Sequence, residues 1–154
     1  MKKLLWLTVV LFAIAGVAYF YIDAQPDPSV KSMRKVSAEI ENKTFTLYAP
    51  TGDEGLQRGL AAFNEIEPNE GMIFRGLPVG VQTFWMKDMK FDIDILWINK
   101  DNEVIHIVYD ASKDSYPTKF ENPTARPSAY VIELAAGTAE KNNIAPGSIV
   151  KITE

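Results

Sequence analysis

From residue 36 onward the chain runs in short apolar–polar beats rather than long helical stripes. In residues 36–50, Phe45 and Leu47 fall on one side of a two-residue period, with Thr44, Thr46 and Tyr48 on the other; this is the pattern of a half-buried strand. The beat breaks at residues 51–63, where Thr51 or Asp53 can cap a short helix that the glycines limit. Gly71, Met72, Ile73 and Phe74 make a brief apolar strand. Residues 82–98 read as further strand, with Met89, Phe91, Ile93, Ile95 and Trp97 on an apolar side and Lys90, Asp92 and Asp94 on a polar one. The polar stretch 99–102 turns the chain back along 103–110, which predicts a hairpin. A proline-rich stretch follows, then a strand at 129–135. Gly137 and Thr138 start a second short helix, and Pro146 with Gly147 fits a turn before a last strand at 148–152. Many short strands, turn signals and two short helices predict a mainly β fold, either a β-sandwich or a partly closed barrel.

The pattern ahead of this region is different. Residues 4–22 are uncharged and mostly apolar, about 19 positions against the roughly 20 that span a bilayer as a helix. Lys2 and Lys3 precede the run, so the positive-inside tendency keeps the N-terminus cytoplasmic; Tyr19, Phe20 and Tyr21 suit the far interface. The rival reading is a signal peptide cut near Gly16-Val17-Ala18, which would leave the aromatic cluster at the new terminus. Residues 23–35 carry two prolines and mixed charge without an apolar period, and read as a linker. The expected organisation is an anchor at 1–22, a linker at 23–35 and an exported β-rich domain at 36–154. The expected address is the cell membrane, single-pass, with the domain outside the cytoplasm, or secretion if the leader is cleaved.

Composition narrows the chemistry. The formal net charge of −4 over 154 residues offers no basic footprint for nucleic acid. The absence of cysteine excludes disulfides, thiolate catalysis and thiolate metal ligation. His106 is the single histidine and lies in a strand-type run, so no transition-metal site is assigned, and no Gly-rich phosphate loop calls for a cofactor.

Several stretches share order and spacing with a known family. Arg58-Gly59-Leu60, Asn69-Glu70-Gly71-Met72-Ile73-Phe74, Phe84-Trp85-Met86-Lys87, Asp94-Ile95 and Tyr130-Val131-Ile132-Glu133-Leu134 with Gly137 resemble the domain of unknown function 192 family. The resemblance implies a compact, mainly β domain, often exported or membrane-anchored, and implies no agreed activity, substrate or catalytic residue. The chain departs from the family pattern at Asp88-Met89, where asparagine-threonine is usual, and at Asp92, where proline is usual. Ala61, Asn143 and Ser148 likewise replace the usual methionine, glycine and aspartate.

Candidate residues are weighed against plainer roles. Asp92 and Asp94 lie two positions apart, about 6.6 Å along one strand face. That separation falls within the roughly 6.5–9.5 Å of inverting glycosidases, yet any two same-face carboxylates give it. The plainer reading is that Asp92 is solvated and Asp94 accepts structural hydrogen bonds. Trp85 and Lys87 share a face of an extended chain and can present an indole beside a cation to a ligand. Alternatively, Trp85 anchors the core and Lys87 pairs with Asp94 or Glu133. Arg58 can clamp an anion or tie its helix to Glu70 or Glu133. Loop 116–127, with Tyr116 and Arg126, is a candidate rim or lid, although its three prolines equally suit a rigid flap. The candidate ligand-binding set is therefore Arg58, Trp85, Lys87, Asp94, Glu133, Tyr116 and Arg126, with no catalytic residue assigned. The expected function is an envelope-tethered module, joined to the membrane through residues 4–22, that binds a glycan, a peptide or another envelope protein. Two alternatives stand beside it: a polysaccharide hydrolase using Asp94 with Asp92 or Glu133, and an accessory subunit acting through loop 116–127.

Overall fold

A computed structural model of the chain describes residue 30 and residues 33–153. The expected anchor and most of the expected linker lie outside the described residues. Among the described residues no helix is long and apolar enough to cross a membrane. Strand β1 begins at Arg34, and Val30 and Met33 pack against the apolar core.

Among the described residues nine strands form two sheets. Strands β1 (Arg34–Ile40), β2 (Lys43–Ala49), β3 (Glu70–Phe74), β5 (Ile93–Ile98), β6 (Val104–Ala111), β8 (Tyr130–Ala135) and β9 (Val150–Thr153) make one sheet in the order β6-β5-β8-β3-β2-β1-β9. Neighbours run antiparallel except β2 and β3, which are parallel. Strands β4 (Thr83–Trp85) and β7 (Lys119–Glu121) form a separate antiparallel pair. Helix α1 (Gly52–Arg58) runs directly into a 3-10 turn (Gly59–Ala62), and helix α2 (Thr138–Lys141) follows β8.

The large sheet curls. At one end its two outer strands meet: Val104 N–H donates to Ser148 O at 2.9 Å, Gly147 N–H to Val104 O at 2.8 Å, and Val150 N–H to Asn102 O at 2.8 Å. The result is a half-barrel, so of the two architectures expected the partly closed barrel is the nearer; two facing sheets of a sandwich do not form.

Alternation along the strands separates two apolar clusters, one on each face of the curl. Ile73, Leu96, Ile98, Ile132 and Leu134 belong to the first, with Val36, Phe45 and Leu47. Met72, Phe74, Ile95, Trp97 and Val131 belong to the second, with Leu60 from the 3-10 turn and Met86. Gly71 lets β3 lie close on β8: a Cβ there would stand 2.3 Å from the carbonyl oxygen of Glu133. Antiparallel pairing on both sides then fixes Glu133 opposite Met72 of β3 and Ile95 of β5.

The stretch read as continuous strand at 82–98 is divided. β4 leaves the main sheet to pair with β7, and the chain turns through Asp88, whose φ of 59° is left-handed, before β5 begins at Ile93. Met86 is the pivot. It is buried and its carbonyl accepts the N–H of Met89 at 3.3 Å.

Candidate functional site

A cleft of about 230 Å³ opens between the α1–3-10 segment, the end of β3, β4 and the middle of β8. Its apolar walls include Leu56, Leu60, Leu77, Phe74, Phe84 and Met89. Phe74 and Phe84 meet edge to face with ring centres 5.0 Å apart, and Phe84 makes a similar contact with Trp97 at 6.2 Å. This aromatic stack ties β4 to the sheet and keeps one wall in place. The neighbouring β7 strand holds β4 from its other edge, with Trp85 opposite Lys119.

Glu133 lies in the lining of this cleft and is 5% exposed. The main-chain N–H of Leu60 donates to its carboxyl, while Oε2 has no partner among the described residues. Burial pushes its pKa up to about 8, against the smaller opposing effect of the Leu60 hydrogen bond. The side chain is therefore mostly a neutral acid at pH 7, able to donate a hydrogen bond as well as accept one. Gly59 makes room above it. Its φ of 51° is left-handed, and a Cβ there would lie 3.2 Å from Phe74 Cζ and 3.8 Å from Glu133 Oε2.

Arg58, the last residue of α1, and Lys87, just past β4, also line the cleft and are both exposed. Trp85 stands beside them, 46% exposed, so it is not the core anchor that one reading allowed; the neighbouring Met86 takes that place. The pairing considered for Lys87 is not formed with Asp94, whose oxygens face main-chain donors, nor with Oε2 of Glu133. Four of the seven candidates, Arg58, Trp85, Lys87 and Glu133, thus converge on one cleft.

The other three do not. Asp94 is fully buried and accepts three main-chain N–H groups: Ala139 at 2.8 Å, Asp110 at 3.0 Å and Gly137 at 3.3 Å. Those bonds start α2 and hold a bulge in β6, and they leave Asp94 no access to a ligand. Asp92 accepts the Lys113 N–H at 2.7 Å near the surface. The two aspartates therefore share no cleft with each other or with Glu133. Tyr116 is half-exposed on its loop, away from the cleft lining. Arg126 donates from Nη1 to the Ile105 carbonyl at 3.1 Å and lines a separate, more open depression of about 610 Å³ with Lys100, Asp101 and Glu103.

Loop 116–127 is neither rim nor lid of the cleft. β7 within it pairs with β4, and buried Asn122 accepts Gln82 N–H at 2.7 Å while donating to the carbonyls of Arg126 and Gly80 at 2.6 and 3.2 Å. The segment acts as a buttress, the flap that its prolines allowed. His106 packs its ring against Trp97 at 5.3 Å, and burial, with Arg126 nearby, lowers its pKa. Among the described residues no group of three or more histidine or acidic side chains is arranged to hold a metal ion.

Sequence reasoning missed the walls. Phe74, Phe84 and the Leu60 N–H bear on Glu133 only through the fold. Gly59 carried the one local signal, a glycine directly after a helix-terminal arginine.

Comparison with known proteins supports this architecture. The DUF192 family pattern, described as an uncharacterized ACR, matches residues 35–152. A candidate transcription regulator from Sinorhizobium meliloti 1021 is similar in structure, with a TM-score of 0.71 and 25% identity, over 79% of this chain and 95% of that one. A protein of unknown function from Novosphingobium aromaticivorans DSM 12444 gives a TM-score of 0.71 and 27% identity, over 79% of this chain and 88% of that one. No curated protein matches the chain. With the family pattern covering the whole curled sheet from β1 into β9, the chain belongs to the DUF192 family.

Proposed function

We propose that this protein is a ligand-binding module of the cell envelope, tethered through residues 4–22, and that the cleft under Gly59 is where it binds. One observation carries the reading: a buried carboxyl oxygen without a hydrogen-bond partner among the described residues lies in the wall of an open cleft with aromatic walls. Unsatisfied buried polar atoms are rare because each forgoes a hydrogen bond, and one in a cleft wall is matched by a ligand that supplies the missing bond. Trp85, exposed beside Lys87, adds a stacking surface at the same place.

A hydrolase would need a second carboxylate facing the first, and among the described residues Glu133 is the single acidic side chain in the lining. The net charge of −4 gives no support to carrying over the description of the Sinorhizobium neighbour as a candidate transcription regulator.

The test is a screen of glycans, peptides and small metabolites against the full chain and a Trp85→Ala, Lys87→Ala double variant. Hits that bind the wild type and lose about tenfold or more in the double variant support the reading, as expected where a stacked aromatic and a cation both touch the ligand. Hits insensitive to the double change place binding elsewhere and defeat it.

A further inference from the structure

The charged side chains lining the cleft are few and come from three elements. Arg58 belongs to α1, Lys87 to the exit of β4 and Glu133 to β8, while the 3-10 turn and β3 contribute Gly59, Leu60 and Phe74. The exposed Lys87 ammonium therefore lines the same cleft as an acid that burial disfavours from ionising. A cationic ligand would have to pass Lys87 to reach that acid, and an anionic one would be drawn in by it. The volume, about 230 Å³, is below the usual range for drug-sized ligands, so the occupant is compact.

Resting on the cleft reading above, we propose that the ligand is a small organic anion with an apolar body and a neutral oxygen. The oxygen accepts a hydrogen bond from the buried Glu133 carboxyl, the body lies against Phe74 and Phe84, and the negative group meets Lys87 at the mouth beside Trp85. An N-acylated amino acid or the C-terminal residue of a peptide has this layout: amide oxygen, apolar side chain and carboxylate. The opposite choice, an alkyl ammonium seated on an ionised Glu133, uses the same floor and predicts the opposite pH dependence. With the acid as donor, affinity is full below the Glu133 pKa of about 8 and falls as pH rises through it. With the acid as anion, affinity rises over the same interval.

The experiment uses the full chain in detergent micelles and two probes, N-acetyl-L-leucine and 3-methylbutylamine. Each keeps its charge at both pH 6.5 and pH 9, because a carboxylate titrates near 3.5 and an alkyl amine near 10.4, approximately. Amide and indole chemical shifts are followed during titration. The expected result is that N-acetyl-L-leucine moves the Gly59 and Leu60 amides and the Trp85 indole. Its binding should weaken about tenfold at pH 9, as fits loss of a strong hydrogen bond and gain of a like charge. Glu133→Gln keeps a donor and flattens that pH dependence; Lys87→Ala weakens binding at both pH values. If the amine binds in the cleft instead, and more tightly at pH 9, the anion assignment is overturned while the cleft reading stands. A pH dependence that persists in Glu133→Gln also overturns the assignment. If neither probe moves cleft resonances at millimolar concentration and the wider screen gives no hit sensitive to the Trp85 and Lys87 changes, both readings are overturned.

Discussion

Glu133 shows how one side chain can be recognisable in sequence while its surroundings are not. Its place in a strand motif was plain, but an alternating strand says only that a polar residue points to one face. It does not say that Leu60, Phe74 and Gly59 will close over that face. Burial has a measurable consequence. In the unfolded chain the carboxyl titrates near 4.5, and in the folded protein near 8, so the folded state holds the proton more tightly. The contribution of this group to stability is full below pH 4.5 and is lost progressively as pH rises from there to pH 8. Glu133→Gln removes the titration. Urea denaturation at pH 5, 6.5 and 8 should show the variant gaining on the wild type at each step, and a pH-independent difference would contradict the buried neutral acid. Trp85 teaches the converse. Neighbouring residues of an extended chain face opposite ways, and the Trp85–Met86 pair gives no local sign of which is outside. Here the smaller, more flexible Met86 fills the core and the indole stays in water.

Among the elements, β5 is where pattern and structure diverge most usefully. The two-residue beat placed Asp94 on a wet face, and the beat itself is real. Yet Leu96 and Ile98 share that face and enter the first apolar cluster, so β5 is buried on both sides. Asp94 sits where that face meets the chain leaving β8, and there its carboxylate starts α2 and fixes the β6 bulge beside Asp110, whose φ is 49°. A charge kept buried by three main-chain donors is costly to replace with an apolar stub, because the donors are left without partners. Asp94→Ala should lose about 3 kcal/mol or more of stability, with hydrogen exchange quickening first at Ala139 and Asp110. A loss below about 1 kcal/mol would show that water replaces the carboxylate and that the element is less dependent on it than the geometry indicates. Although residues 36–50, read as one strand, fold into β1 and β2, most strands and both helices were legible because each follows from local period and turn chemistry. The departure of β4 from the sheet was not, because it depends on β7, which lies more than thirty residues downstream.

At the scale of the whole molecule, the mainly β fold class could be read from the chain, whereas strand count and strand order could not. Nothing in the spacing of apolar residues declares that β2 and β3 run parallel, or that β8 inserts between β3 and β5. Those choices are made by which faces must be covered on both sides of a curled sheet. The proposed address makes a prediction at this scale. After lysis the full chain should sediment with membranes, resist extraction by high salt, and give an intact mass that begins at the natural N-terminus. A soluble species beginning near Tyr19 would instead indicate that the apolar run is a cleaved leader.

The meeting of the outer strands also sets a timetable. β1 is the first strand of the domain in chain order, yet one of its two partners, β9, is the last, on the order of a hundred residues later. Until β9 arrives, β1 keeps a row of unpaired peptide groups and the first apolar cluster lacks Val150. A nascent chain therefore stays vulnerable to association through that edge for most of its emergence. Docking of β9 then completes the pairing of β1 and draws the two ends of the sheet together in one late step.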